Sequence, residues 1–161
     1  MIMKKNLIYG LIGAVVGLLL TLFVIYLSAE NVMMKEKDVN LSFEEAVELL
    51  KTTANAKGWS IPTVHDLQAT MAKHGHQVNK VKVFELCHPG HANKVLQQDK
   101  ERLVTSMMPC RVSIYEKSNG KVYVSWMNTG LMGSLMGGVV PEVMKDASRE
   151  SEEIINVLLS K

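Results

Sequence analysis

Residues 7–27 run without a single charged side chain, and no other feature of the sequence constrains the fold as strongly. At 1.5 Å rise per residue such a stretch makes a helix of roughly 31 Å, matching a hydrocarbon core of about 30 Å. Its centre, Leu18-Leu19-Leu20-Thr21-Leu22-Phe23-Val24-Ile25, offers no polar stripe to water. Tyr9 and Tyr26 stand near the two ends, where aromatic side chains sit at membrane interfaces. The stretch therefore predicts a transmembrane signal-anchor helix. A cleaved signal peptide is the rival, but its apolar region is about 7–15 residues and its cleavage site needs small residues. Cutting after Ala29 would put Leu27 three positions back. Lys4 and Lys5 precede the stretch, whereas Lys35 and Lys37 beyond it are mixed with Glu30, Glu36 and Asp38. Basic residues stay inside. The expectation is a single pass through the inner (cytoplasmic) membrane, with residues 1–6 a cytoplasmic tail and the rest in the periplasm or outside the cell. Gly13 with Gly17, and Gly10 with Ala14, have the small-xxx-small spacing of packed membrane helices, although glycine is common in such helices anyway.

Residues 28–40 carry charges without periodicity and read as a linker; residues 41–161 read as one soluble α+β domain. Ser42-Phe43-Glu44-Glu45 is a capping box, and Phe43, Ala46, Val47, Leu50 and Ala54 follow on one helical face, ended by Gly58. A strand over residues 59–67 is followed by a short helix over 68–73. A second strand over 81–86 leads into a helix from Pro89 to about Gln98. Residues 111–117 and 121–127 alternate around Ser118-Asn119-Gly120. A two-residue loop would pair Val112 with Met127 and mix the two faces. A three-residue loop with Gly120 left-handed pairs Val112 with Trp126 and Ile114 with Val124, giving one coherent apolar face. Cys110 then faces the core, and Arg111, Tyr115, Tyr123 and Met127 form the opposite, exposed sheet face. The stretch from Gly130 to Gly138, with its repeated Leu-Met-Gly, reads as a mobile apolar loop with room for one helical turn. Pro141 opens a last helix reaching about Leu159, with Val143, Met144, Ala147, Ser151, Ile154, Ile155 and Leu158 inward. The order is α-β-α-β-α-β-β-α, helices packed on a small sheet.

Phe43-Glu44-Glu45-Ala46-Val47, Cys87-His88-Pro89 after a strand, and Met108-Pro109-Cys110-Arg111-Val112 opening the hairpin resemble the family called domain of unknown function 302. Met127-Asn128 and Leu131-Met132-Gly133 are similar to its membrane-anchored members. The resemblance covers about residues 40 to 160. It implies a compact α+β fold, often dimeric, and no established reaction. The family's usual residue after the first cysteine is Asn, so His88 departs from the pattern.

Two cysteines, five histidines and 11 methionines set the candidate chemistry. Cys87 ends a strand just before a helix whose N-terminus favours thiolate, and Cys110 begins the hairpin. The pair reads as a disulfide, a reversible thiol pair or metal ligands. A bridge would close a loop worth about 3 kcal/mol. His88 and His91, with Cys87 and Cys110, form a candidate site for copper or another soft metal; His74 and His76 lie upstream in a turn. Met107, Met108, Met127, Met132 and Met136 flank the hairpin, and thioethers favour Cu(I), though Met also fills irregular cores. Met132 and Met136 could equally join Arg111, Tyr115, Tyr123 and Met127 in an interaction surface for a homodimer or a membrane-complex partner. A non-covalent haem with His and Met ligands stays open, while Cys-x-x-Cys and Cys-x-x-Cys-His are absent. Ser113 and Ser125 have no marked His partner. Glu142, Asp146, Glu150 and Glu153 read as a solvated helix face. The net charge of +2 and the lack of a basic stripe exclude a nucleic-acid partner. The expected function is a binding or redox-accessory module rather than a turnover enzyme. The alternatives are a structural dimerising domain and a thiol-redox enzyme.

Overall fold

The computed structural model describes residues 2–161, the side chains of residues 2–9, 11, 28 and 31 excepted. The chain divides into two compact units, Met1–Val32 and Met33–Lys161. The first is carried by a single helix, α1 (Ile2–Met33). Many of its described apolar side chains, Leu18, Leu19 and Phe23 among them, are more than half exposed.

The membrane reading is corrected. Among the described residues no helix is long and apolar enough to cross a membrane. The inner-membrane location, the inside amino terminus and the outside domain are therefore not retained. The side chains of Lys4, Lys5 and Tyr9, on which the orientation and one aromatic anchor rested, lie outside the described residues.

The second unit is a five-stranded antiparallel sheet in the order β1-β5-β4-β3-β2. Its strands are β1 (Met34–Val39), β2 (Val64–Asp66), β3 (Val81–Leu86), β4 (Cys110–Glu116) and β5 (Val122–Met127). Strand β1 occupies what the sequence reads as linker. Its alternation is hidden because it is an edge strand studded with charge, the usual defence of an open edge. Lys35 pairs with Glu152, Glu36 with Lys117 and Asp38 with Lys121, at 2.7, 2.7 and 2.9 Å.

Helices α2 (Phe43–Ala56) and α6 (Val140–Leu159) supply the apolar cover of the sheet. Ser42 and Glu45 form the expected capping box, and Gly58 leaves the helix at φ 77°. The α2 positions Phe43, Ala46, Val47, Leu50 and Ala54 and the seven expected α6 positions are all buried. All of the α2 positions, with Ala147, Ile154, Ile155 and Leu158 of α6, meet Phe84, Leu86, Val112, Ile114, Val124 and Trp126 from the sheet, while Val143 and Met144 enter a second small core. The hairpin takes the three-residue register, Val112 opposite Trp126 and Ile114 opposite Val124, with Gly120 at φ 76°.

Between these lie α3 (Leu67–Lys73), α4 (Pro89–Leu96), a 3-10 segment Glu101–Met107 and α5 (Thr129–Ser134). The strand expected over residues 59–67 shrinks to β2, since Pro62 removes a ladder donor. The expected mobile loop is instead α5 seated tightly on α6. A Cβ on Gly133 would fall 2.3 Å from Met144 Cβ, and one on Gly130 would fall 3.2 Å from Ser148 Cβ. Those glycines serve close approach between helices, not mobility.

Candidate functional site

Strand β3 carries Leu86 into the core and then stops. Cys87 leaves the ladder and bridges to Ser60 instead, with both backbone hydrogen bonds at 2.9 Å. The chain turns at once into α4, for which His88 is the N-cap: His91 N–H donates to His88 Nδ1 at 3.4 Å, and Pro89 opens the first turn. In β4, Cys110 stands opposite Leu86. The residues that end β3 and begin β4 are thereby brought to one corner of the sheet.

That corner holds a cavity of about 30 Å³. Its walls include Cys87, Cys110, His88 and His91, and also Trp59, Met108 and Met144. All four expected site residues therefore share one space. The volume suits one or two water-sized occupants. Both cysteines are free thiols and half-buried. Cys110 is pushed up to about 11, first by burial and then by the neighbouring Cys87, although a hydrogen bond from Thr129 favours its thiolate. At neutral pH it keeps its proton and is a weak nucleophile.

Each imidazole has one ring nitrogen engaged. His88 Nδ1 accepts from the α4 backbone, which places a neutral ring's proton on Nε2. His91 Nε2 lies 3.0 Å from Glu150 Oε2 on α6. Burial pushes the Glu150 carboxyl up, but the His91 hydrogen bond, the charges of His91 and His88, and nearby Trp59 together bring it below the usual range. The two imidazole rings lie 4.6 Å apart, with Trp59 5.6 Å from His88 and 6.0 Å from His91. Trp59 is buried and its Nε1 makes no hydrogen bond, close as it is to Glu150. Among the described residues no three His, Cys, Asp or Glu side chains converge to hold a metal ion. Each ring keeps its second nitrogen, His88 Nε2 and His91 Nδ1, outside the contacts with α4 and Glu150.

The remaining candidates fall elsewhere. His74 and His76 are exposed in the turn after α3. Tyr115 and Tyr123 stack at 6.1 Å on the sheet face away from the core, and exposed Arg111 and Met127 lie four residues further along the same strands. Tyr115 O–H donates to Glu36. Met136 packs against a second small core around Val95, Val104 and Val140, while Met132 approaches β5. Sequence reasoning missed Trp59, Thr129, Met144 and Glu150. Glu150 is half-buried rather than part of a solvated face, and its neighbour Ser151 on the inner stripe was the available signal.

The model of the family described as domain of unknown function DUF302 matches residues 35–158. An uncharacterised protein of Aquifex aeolicus (strain VF5) is 29% identical over 111 residues, 69% of this chain and 70% of that protein. The crystal structure of an uncharacterised conserved DUF302 protein from Bacillus stearothermophilus superposes with a TM-score of 0.70 at 18% identity. That likeness covers 78% of this chain and 98% of the other, and it bears on fold alone. With the family model spanning both the sheet and the cavity corner, the chain belongs to the DUF302 family.

Proposed function

We propose that the domain is a binding module for a single soft monovalent cation such as Cu(I), held by sulfur. The observation that carries this reading is the composition of the cavity. Two free thiols, Cys87 and Cys110, and two thioethers, Met108 and Met144, line a space of about 30 Å³. Thiolate and thioether donors select soft ions, and a space this small suits a single ion. The imidazoles act as positioning groups: His88 fixes the start of α4 and His91 ties it to α6 through Glu150. Binding module fits better than turnover enzyme, since the buried Cys110 holds its proton at neutral pH. Each thiol that binds releases that proton to solvent as its sulfur–metal bond forms, so affinity rises with pH.

A competition titration of the full chain against a chromophoric Cu(I) chelator tests the reading. One tight equivalent is expected, lost by at least a hundredfold in Cys87→Ser and in Cys110→Ser and nearly unchanged in His91→Gln. Equal affinity in both cysteine variants and the parent would defeat it.

A second reading, compatible with the first, is homodimerisation through the outer sheet face. It is favoured by the stacked Tyr115–Tyr123 pair, with exposed Arg111 and Met127 further along the same strands. Sedimentation of the parent and of Tyr123→Asp should then differ in mass, the variant being monomeric; equal masses would remove this reading.

A further inference from the structure

Cys110 lines a second cavity as well as the first. This outer space, of about 130 Å³, is walled by Met107, Met127 and Met132, together with Ser106, Pro109, Cys110, Arg111 and Thr129. Cys110 and Pro109 belong to both walls, so the thiol stands at the partition between the two cavities. The three thioethers come from three separate elements: the 3-10 segment, the end of β5 and α5. Met127 is exposed and the other two are half-buried, so the space communicates with solvent.

We infer that this outer cavity is a second, thioether-only site for a soft monovalent cation, from which the ion passes to Cys110. The inference builds on the sulfur-binding reading of the inner cavity. Three considerations support it. Thioethers are neutral, soft and unprotonated at every accessible pH, so a methionine trio binds Cu(I) or Ag(I) without displacing a proton. The second space is the larger, about 130 Å³ against about 30 Å³, so it admits a cation that still carries water. And the wall common to both is a sulfur ligand, so transfer is a stepwise exchange of thioether for thiol with the Cys110 proton leaving as the ion arrives. Arg111 opposes a cation, but its side chain is 65% exposed and reaches toward Glu85 at 3.7 Å, which leaves the repulsion screened by water.

The test uses Ag(I), which needs no reductant, and the full chain with methyl-labelled methionine. At pH 5, in the Cys87→Ser/Cys110→Ser variant, one equivalent of Ag(I) should shift the methyl signals of Met107, Met127 and Met132. Those of Met108 and Met144 should stay in place. Replacing the three by Leu, a swap close to volume-conserving, should weaken this binding at least tenfold while the circular dichroism is unchanged. Uniform shifts across all 11 methionines, or none at the three, would overturn the outer site. The two readings separate cleanly. A parent that binds one equivalent and a cysteine-less variant that binds none would leave the inner site standing and remove the outer. One equivalent at Met107, Met127 and Met132 in both proteins would do the reverse.

Discussion

At the turn end of β4 and β5 the structure is made by near neighbours. Gly120 takes φ 76°, Asn119 Oδ1 accepts from Lys121 N–H at 3.0 Å, and Asn119 Nδ2 donates to the Tyr123 hydroxyl at 2.9 Å. Lys117 Nζ lies over the Tyr123 ring at 4.1 Å. At the opposite end of the same two strands the parts come from far along the chain. Trp59, Cys87, His91, Cys110 and Met144 meet around the cavity, and Trp59 Nε1 is left without a hydrogen bond within the protein. The turn end is closed by local chemistry. The cavity end is held in place by tight helix packing just outside it, and its own groups remain available to a ligand.

Breaking that packing should have the largest effect. Gly133→Ala places a Cβ 2.3 Å from Met144 Cβ, where α6 cannot retreat without opening the second core. A loss of about 3 kcal/mol or more is expected by urea unfolding, with the cavity distorted as well. A loss under about 1 kcal/mol would mean that α5 is not seated as described.

The Cys110 thiol gives a smaller, pH-dependent effect at the same end. Its folded value of about 11 exceeds the ordinary 9.0, so the folded chain holds this proton more tightly than the unfolded one. The contribution is therefore complete below pH 9 and is lost as pH climbs toward 11, up to about 3 kcal/mol on the linkage relation. Cys110→Ala should flatten that alkaline slope in stability measured from pH 8 to pH 11. An identical slope in the variant would show that the thiol is not the group responsible.

At the turn end, Gly120→Ala should cost only about 1 kcal/mol, since nothing lies within 4 Å of the new Cβ and the penalty is the positive φ alone. Ligand affinity should not change. A variant that loses Cu(I) affinity would mean that the two ends are coupled.

The same contrast explains what could be read from the sequence. The hairpin register, the α2 face and the α6 stripe were legible because each rests on periodicity or a turn glycine. That Cys87 and Cys110 meet was legible from their positions at strand ends. Strand β1 was not, because its side chains are charged on an open edge and are satisfied by Glu152, Lys117 and Lys121, all distant in sequence. Helix α5 was not, because glycine signals a loop until the partner surface of Met144 and Ser148 is known. The histidines were candidates by residue type and by nearness to the cysteines, not by a chelating spacing, and one ring nitrogen of each answers to α4 or to Glu150, a pairing 59 residues apart for His91.

The most direct test of a sulfur-lined cation site is X-ray absorption at the copper edge, on the full chain loaded with one equivalent of Cu(I). Scattering from sulfur alone is expected, in His91→Gln as in the parent, because the cavity offers two thiols and two thioethers while each imidazole has one ring nitrogen engaged. A nitrogen shell that disappears in His91→Gln would contradict it and return the histidine to the role of ligand.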